Sequence, residues 1–177
     1  MKNSIKEHLK QYGIYEMDED KYWAWGGRKL GEREATRLEQ LRDPIVEGYA
    51  TEEDLNKFYE YIAKPKIASV VHTMKYNEIE ACYTNILSEL NGNNILEIGC
   101  NIGYGTTWLA RNLIESNFIG VDKSVKSIKT ATNFAKRFNL SNISFKHDDI
   151  LSYKPDFVFD YIISSAWPKN TQIADIK

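Results

Sequence analysis

Ile95-Leu96-Glu97-Ile98-Gly99-Cys100-Asn101-Ile102-Gly103-Tyr104-Gly105 is the stretch whose reading decides the fold. Its first four residues are a short apolar run of strand length that carries one carboxylate, Glu97. The run ends at glycines. A helical pattern follows over residues 104–116, with Trp108, Leu109, Leu113 and Ile114 as its apolar positions. A strand that runs into a glycine-rich loop and opens a helix has the geometry of a cofactor loop, because glycine lets the backbone turn tightly and approach a ligand closely. Two phosphate-binding patterns are excluded by spacing. If Gly103 and Gly105 began G-x-G-x-x-G, the third glycine position would fall on Trp108, which is far too large. A P-loop needs Gly-Lys-Ser/Thr, and none follows.

Working downstream, Phe118 to Val121 reads as a second strand, ending in Gly120-Val121-Asp122. Residues 124–138 form a helix with Val125, Ile128, Ala131, Ala135 and Phe138 on one face. Ile143 to Phe145 is a third strand and Phe159 to Ile163 a fourth. Strand alternating with helix predicts βαβ units and a parallel sheet. Short continuous apolar runs suit strands covered on both faces. A carboxylate at the tip of the second strand, Asp122, is placed to take two ribose hydroxyls. After the third strand comes His147-Asp148-Asp149-Ile150, where a carboxylate can accept from the exocyclic amine of a base. Three acidic tips and one glycine loop fit an adenosine-bearing ligand without phosphates.

These stretches together resemble the class I S-adenosylmethionine-dependent methyltransferases over residues 93–166. Leu96-Glu97-Ile98-Gly99-Cys100-Asn101-Ile102-Gly103 is similar to the family's first motif. Gly120-Val121-Asp122-Lys123-Ser124, then Ala131 and Ala135, resembles its second strand and helix. Asn142 to Ile150 resembles the third, and Phe159-Asp160-Tyr161-Ile162-Ile163-Ser164-Ser165-Ala166 the fourth. The resemblance implies S-adenosylmethionine as cofactor, S-adenosylhomocysteine as product, and methyl transfer as the activity. It implies that Glu97 orients the loop and meets the methionine ammonium. Gly99, Gly103 and the backbone around Asn101 would pack against the cofactor. Asp122 would hold the ribose. Asp149, ahead of Asp148, would take the adenine amine, and Lys123 and Ser164 join the cofactor-binding positions. Asn101 stands where the family often has its central glycine; asparagine tolerates positive φ better than most residues.

Upstream of residue 91 the pattern is helical. Candidate helices cover residues 2–11, residues 32–42 (stopped by Pro44), a segment opened by the cap Thr51 with the stripe Leu55, Phe58, Tyr59 and Ile62, and residues 66–90. Between the first two lies an irregular segment with Tyr22, Trp23 and Trp25, a candidate substrate lid. The expected architecture is therefore an all-helical N-terminal cap over residues 1–90 and a partial Rossmann-like core of four strands over residues 91–177, an α/β fold.

Composition bounds the function. Of 177 residues, 42% are hydrophobic and 27% charged, ordinary for a globular protein. The net charge is -2, which ranks nucleic acid low as the main ligand. The N-terminus carries no apolar core of signal-peptide length and no stretch approaches the ~20 apolar residues of a membrane helix. Cys82 and Cys100 stand far apart, which disfavours a disulfide framework or a metal site. The expectation is a cytoplasmic protein. No residue reads as a general base, so no catalytic group is assigned. Ser164-Ser165-Ala166-Trp167-Pro168 lacks the Asn/Asp-Pro-Pro-Tyr pattern of base-amine methylases, which points to a small-molecule acceptor. The resemblance leads one to expect three further strands, and residues 164–177 are too few to form them. The chain is thus expected to be a truncated copy, or a short form whose fourth-strand edge is covered by a second copy, a partner chain or its own tail. The rival readings are a cofactor-binding subunit without chemistry of its own, and a nucleotide- or NAD-binding protein of the same architecture.

Overall fold

Apolar residues cover both sides of the central strands, and that is what builds the core. In β3 (Asn94–Ile98), Ile95 faces one way and Leu96 and Ile98 the other; in β4 (Asn117–Asp122), Phe118 is set against Ile119 and Val121 in the same manner. The computed structural model describes residues 4–12, 14–16, 23–25, 30–68, 76–90 and 93–164. The sheet is completed by β5 (Ile143–His147) and β6 (Tyr161–Ile163), in the order β5-β4-β3-β6. All three pairings are parallel, with Glu97 beside Gly120 and Ile163, and Asp122 beside His147. The first predicted strand is thus central, between the second and the fourth. The strand tips that carry the acidic residues lie along one edge of the sheet.

Two helices return the chain between these strands. α5 (Tyr104–Asn112) links β3 to β4, and α6 (Val125–Arg137) links β4 to β5. They cover the Ile95 and Phe118 face, burying Ile102, Trp108, Leu109 and Ala110 with them. The opposite face, Leu96, Ile98, Ile119 and Val121, packs against Ile150, Tyr153 and Phe159 from the β5–β6 connection. α6 starts at a side-chain cap: the Ser124 hydroxyl accepts from the Ser127 N–H at 3.2 Å.

The N-terminal region contains α1 (Ile5–Gln11), α2 (Glu32–Glu47), α3 (Glu52–Ile62) and α4 (Tyr76–Glu89). It is not purely helical. β1 (Ile14–Glu16) and β2 (Trp23–Trp25) pair antiparallel, Tyr15 opposite Ala24, in the segment that glycines made look irregular. α2 also runs past Pro44 to Glu47. Proline removes one hydrogen bond from the solvent-exposed Gln40 carbonyl side of the helix, and the stop comes instead from Gly48, left-handed at φ 84°. The Thr51 start is as expected, a reciprocal cap in which the Asp54 N–H donates to the Thr51 hydroxyl at 3.2 Å and the Thr51 N–H to the Asp54 carboxylate at 3.0 Å. The α3 stripe is less buried than its period implied: Ile62 is buried, whereas Tyr59 is 42% exposed. Of the long helix expected over 66–90, residues 65–68 and α4 are helical, and residues 69–75 lie outside the described residues.

α1 packs across α5 and α6. Its Ile5 and Leu9 are buried, and Tyr12 beyond its end stacks on Phe134 with ring centroids 3.6 Å apart. At β6, Tyr161 and Ile162 are 40% and 59% exposed, and no strand among the described residues pairs with its outer side. The tail expected as one cover, Trp167 to Ile176, lies outside the described residues.

Candidate functional site

The loop after β3 is shaped by left-handed residues. Gly99, Asn101 and Gly103 have φ of 68°, 48° and 73°. Asparagine does at 101 what the sequence asked of it. The Gly99 and Cys100 N–H groups both donate to the Val121 carbonyl, at 2.8 and 3.2 Å, which ties the loop to the neighbouring tip. Asn101 is gripped from two sides: its N–H donates to Asp122 Oδ2 at 2.9 Å, and its side-chain Oδ1 accepts from the Ser127 hydroxyl at 3.2 Å.

Asp122 is therefore a loop holder. Its Oδ1 accepts from the Ser124 N–H at 2.8 Å, so each carboxylate oxygen holds one backbone donor and keeps a second lone pair. It does not cap α6, since Ser124 does that. Burial pushes the Asp122 carboxyl above its ordinary value, against the two N–H bonds and the nearby His147, which pull it down. His147 donates its Nε2–H to the Lys123 carbonyl at 3.0 Å.

Glu97 is 1% exposed, on the face of β3 that meets α5. Tyr83 of α4 donates its hydroxyl to Oε1 at 2.7 Å, and Thr106 of α5 donates to Oε2 at 2.5 Å. Neither partner was singled out from the sequence. Gly105 was the signal: a glycine inside a helical pattern marks a close approach, and a Cβ there would lie 2.1 Å from the Tyr83 ring. Gly103 and Gly120 are likewise pressed by protein, both against Phe145, with Ala131 also at Gly103 and the Cys100 sulfur also at Gly120. Cys100 is buried packing. Burial, then the Asp122 and Glu97 carboxylates, hold its thiol well above the usual range.

Beyond β5, Asp149 pairs with Lys123 at 2.7 Å and accepts from the Leu151 N–H at 3.0 Å. Burial opposes ionisation, and these two donors outweigh it, holding the carboxyl below its ordinary value. Asp148 turns inward along the chain, its Oδ1 accepting from the Asp149 N–H at 2.7 Å. Ser164, just past β6, has a buried hydroxyl oxygen with no hydrogen-bond partner among the described residues. α3 reaches the same rim. Its Tyr59 hydroxyl is raised by burial and then by the Asp122 carboxylate, and Glu60 pairs with Lys126 of α6 at 2.5 Å. Of the candidate lid, Tyr22 lies outside the described residues; Trp23 and Trp25 are in β2, and their side chains are not described.

The structure thus gathers Glu97, Gly99, Asn101, Gly103, Asp122, Lys123, Asp148, Asp149 and Ser164 along one edge of the sheet. Carboxylates at three neighbouring tips suit a ligand that offers a cation, hydroxyls and an amine, and they repel a diphosphate. The unpartnered Ser164 hydroxyl leaves a polar position for a ligand to satisfy. Among the described residues no cluster of His, Cys, Asp and Glu could hold a metal ion, and no helix is long and apolar enough to cross a membrane.

Residues 89–175 match the family described as a methyltransferase domain. The chain is 32% identical over 82 residues to ribosomal RNA small subunit methyltransferase G of Coxiella burnetii, covering 46% of this chain and 40% of that protein. It is 34% identical over 88 residues to malonyl-[acyl-carrier protein] O-methyltransferase of Bacillus cereus, covering 48% and 32%. The chain thus spans less than half the length of these curated relatives. A solved S-adenosylmethionine-dependent methyltransferase from Thiobacillus denitrificans, in complex with S-adenosyl-L-homocysteine, superposes with a TM-score of 0.43 at 23% identity, over 49% of this chain and 35% of that one. The family match falls on the same segment as the glycine loop, the acidic tips and the parallel strands, and over residues 89–175 the chain is similar to the methyltransferase-domain family.

Proposed function

We propose that the chain binds S-adenosylmethionine along this edge of the sheet and transfers its methyl group to a small-molecule acceptor. The observation that carries the reading is the placement of Glu97, Asp122 and Asp149 at three adjacent tips around a left-handed loop. Glu97 would meet the methionyl ammonium. Asp122, with a lone pair left on each oxygen, would accept from the ribose hydroxyls while it keeps Asn101 in place. Asp149 would take the adenine amine, Lys123 holding its carboxylate ionised. The backbone from Gly99 to Gly103 would lie against the cofactor, and the Ser164 hydroxyl would find its missing partner there.

The bound cofactor supplies an electrophilic methyl on a positively charged sulfur. The chain's part is to orient it and to exclude water, which suffices for transfer when the acceptor is aligned and desolvated. The N-terminal region, residues 1–90, is proposed as the cap that encloses the acceptor; Tyr59 beside the Asp122 tip supports that place for it. The net charge of -2 favours a small acceptor over an RNA, although one relative is named for ribosomal RNA. Methyl-labelled S-adenosylmethionine incubated with the chain and with separate metabolite, RNA and protein fractions tests this. Label is expected in the metabolite fraction. Label confined to RNA or protein would overturn the acceptor assignment, and no label in any fraction would favour a cofactor-binding subunit.

A further inference from the structure

Glu97 is held by two hydroxyls from different parts of the chain, and this arrangement has a use. We infer that Tyr83 and Thr106 are positioning residues: they fix the Glu97 carboxylate so that its charge faces the cofactor's ammonium, and Gly105 is the seat that brings Tyr83 into range. The inference rests on the proposal above that Glu97 meets that ammonium.

A carboxylate 1% exposed needs hydrogen bonds. Tyr83 supplies one to Oε1 and Thr106 one to Oε2, at 2.7 and 2.5 Å. Hydroxyl donors are neutral. They fix the plane of the carboxylate without themselves adding a positive charge to it, as an arginine or lysine in the same position would. The two donors also come from different elements. Thr106 lies in the first turn of α5, directly after the loop, whereas Tyr83 belongs to α4 in the N-terminal region. The Tyr83 ring is itself fixed edge-on to Tyr104 and Trp108, with centroids 6.3 and 6.4 Å away. Its hydroxyl lies where any Cβ at residue 105 would be, 2.1 Å from it. Glycine is a poor helix former, so its place in the first turn of α5 has a local cause, and the cause is Tyr83. α4 thereby reaches into the cofactor site through one side chain.

The test uses the whole chain and two ligands. S-adenosylhomocysteine carries the ammonium; methylthioadenosine keeps the nucleoside and sulfur and lacks it. Tyr83→Phe keeps the ring and deletes one hydroxyl. It is expected to weaken S-adenosylhomocysteine binding about tenfold or more while methylthioadenosine affinity stays within about twofold. Thr106→Val is expected to act in the same direction. Gly105→Ala, which should favour the helix, is expected to imitate Tyr83→Phe by displacing its ring. In a Glu97→Gln background, Tyr83→Phe is expected to add nothing. If the unaltered chain binds neither compound, the cofactor reading itself fails. If it binds S-adenosylhomocysteine, and Tyr83→Phe leaves that affinity unchanged or weakens both ligands equally, the cofactor reading stands and the positioning role is wrong.

Discussion

The carboxylate of Asp122 accepts a 2.9 Å hydrogen bond from the backbone N–H of Asn101, joining the tip of β4 to the most strained point of the loop after β3. The residue proposed to hold the ribose therefore also holds the loop that receives the methionyl part. Asp122→Ala should lose both. S-adenosylhomocysteine affinity is expected to fall about ten- to a hundredfold, the worth of a charge-assisted hydrogen bond of about 1.5–3 kcal/mol. The Asn101 and Ser124 N–H groups lose their partner, so stability should drop as well, by about 1–3 kcal/mol in urea titration. Unchanged affinity in a folded variant would remove Asp122 from the site.

Gly103 tests whether loop and core are one structure. At φ 73°, a Cβ there would sit 2.6 Å from the Phe145 ring and 2.8 Å from the Ala131 side chain. Gly103→Val is expected to lose cofactor binding and also to lower the melting temperature, since the clash is with packed protein and the backbone is left-handed. A variant with wild-type melting and lost binding would show that the crowding at Gly103 is with ligand alone.

His8 should make the chain acid-sensitive. It is 1% exposed; its Nδ1 accepts from Arg111 at 2.9 Å, and its Nε2–H donates to the Tyr104 carbonyl at 2.9 Å. Burial, then the Arg111 charge, pull its pKa down to about 3, from 6.5, against the Tyr104 bond, which raises it. Between those values the unfolded chain binds a proton that the folded chain refuses. The stability contributed is thus full above pH 6.5 and is lost as pH falls toward 3, by up to about 1.4 kcal/mol per pH unit. Urea titrations at about pH 7, 6 and 5, across the histidine range, should show this slope, and His8→Phe should flatten it. An equal slope in the two proteins would contradict the neutral, buried assignment.

Much of this was legible in the sequence for definite reasons. The Ile95–Ile98 run, its glycines and the tip residue Asp122 are local signals, and the parallel pairing of the strands followed from their alternation with helices. Less legible were features set by distant contacts. Tyr83 meets Glu97 across 14 residues of chain, and Tyr12 reaches Thr107 across 95; nothing in their own neighbourhoods marks either. The β1–β2 ribbon was hidden because each strand is three residues long, too short for a period-two pattern to show. Pro44 is a poor guide to the end of α2 because one proline costs a single hydrogen bond there, whereas left-handed Gly48 terminates the helix.

Asp149 and Lys123 form a partly exposed pair at 2.7 Å. Removing the cation by Lys123→Met should change stability by under about 1 kcal/mol, as for other surface pairs. Asp149→Ala should instead weaken S-adenosylhomocysteine binding about tenfold, because it deletes the proposed acceptor for the adenine amine. The two variants, compared by calorimetry and thermal melting, separate a binding role from a surface ion pair. Equal, small effects of both would leave the pair as surface electrostatics.

The central claim is that this edge of the sheet is an S-adenosylmethionine site. Isothermal calorimetry of the full chain with S-adenosylhomocysteine, NAD and ATP tests it most directly. Saturable binding of S-adenosylhomocysteine at one site per chain, with none of NAD or ATP, is the predicted result. Binding of NAD or ATP in preference to S-adenosylhomocysteine would contradict it, since the carboxylates of Glu97, Asp122 and Asp149 would then be facing phosphates.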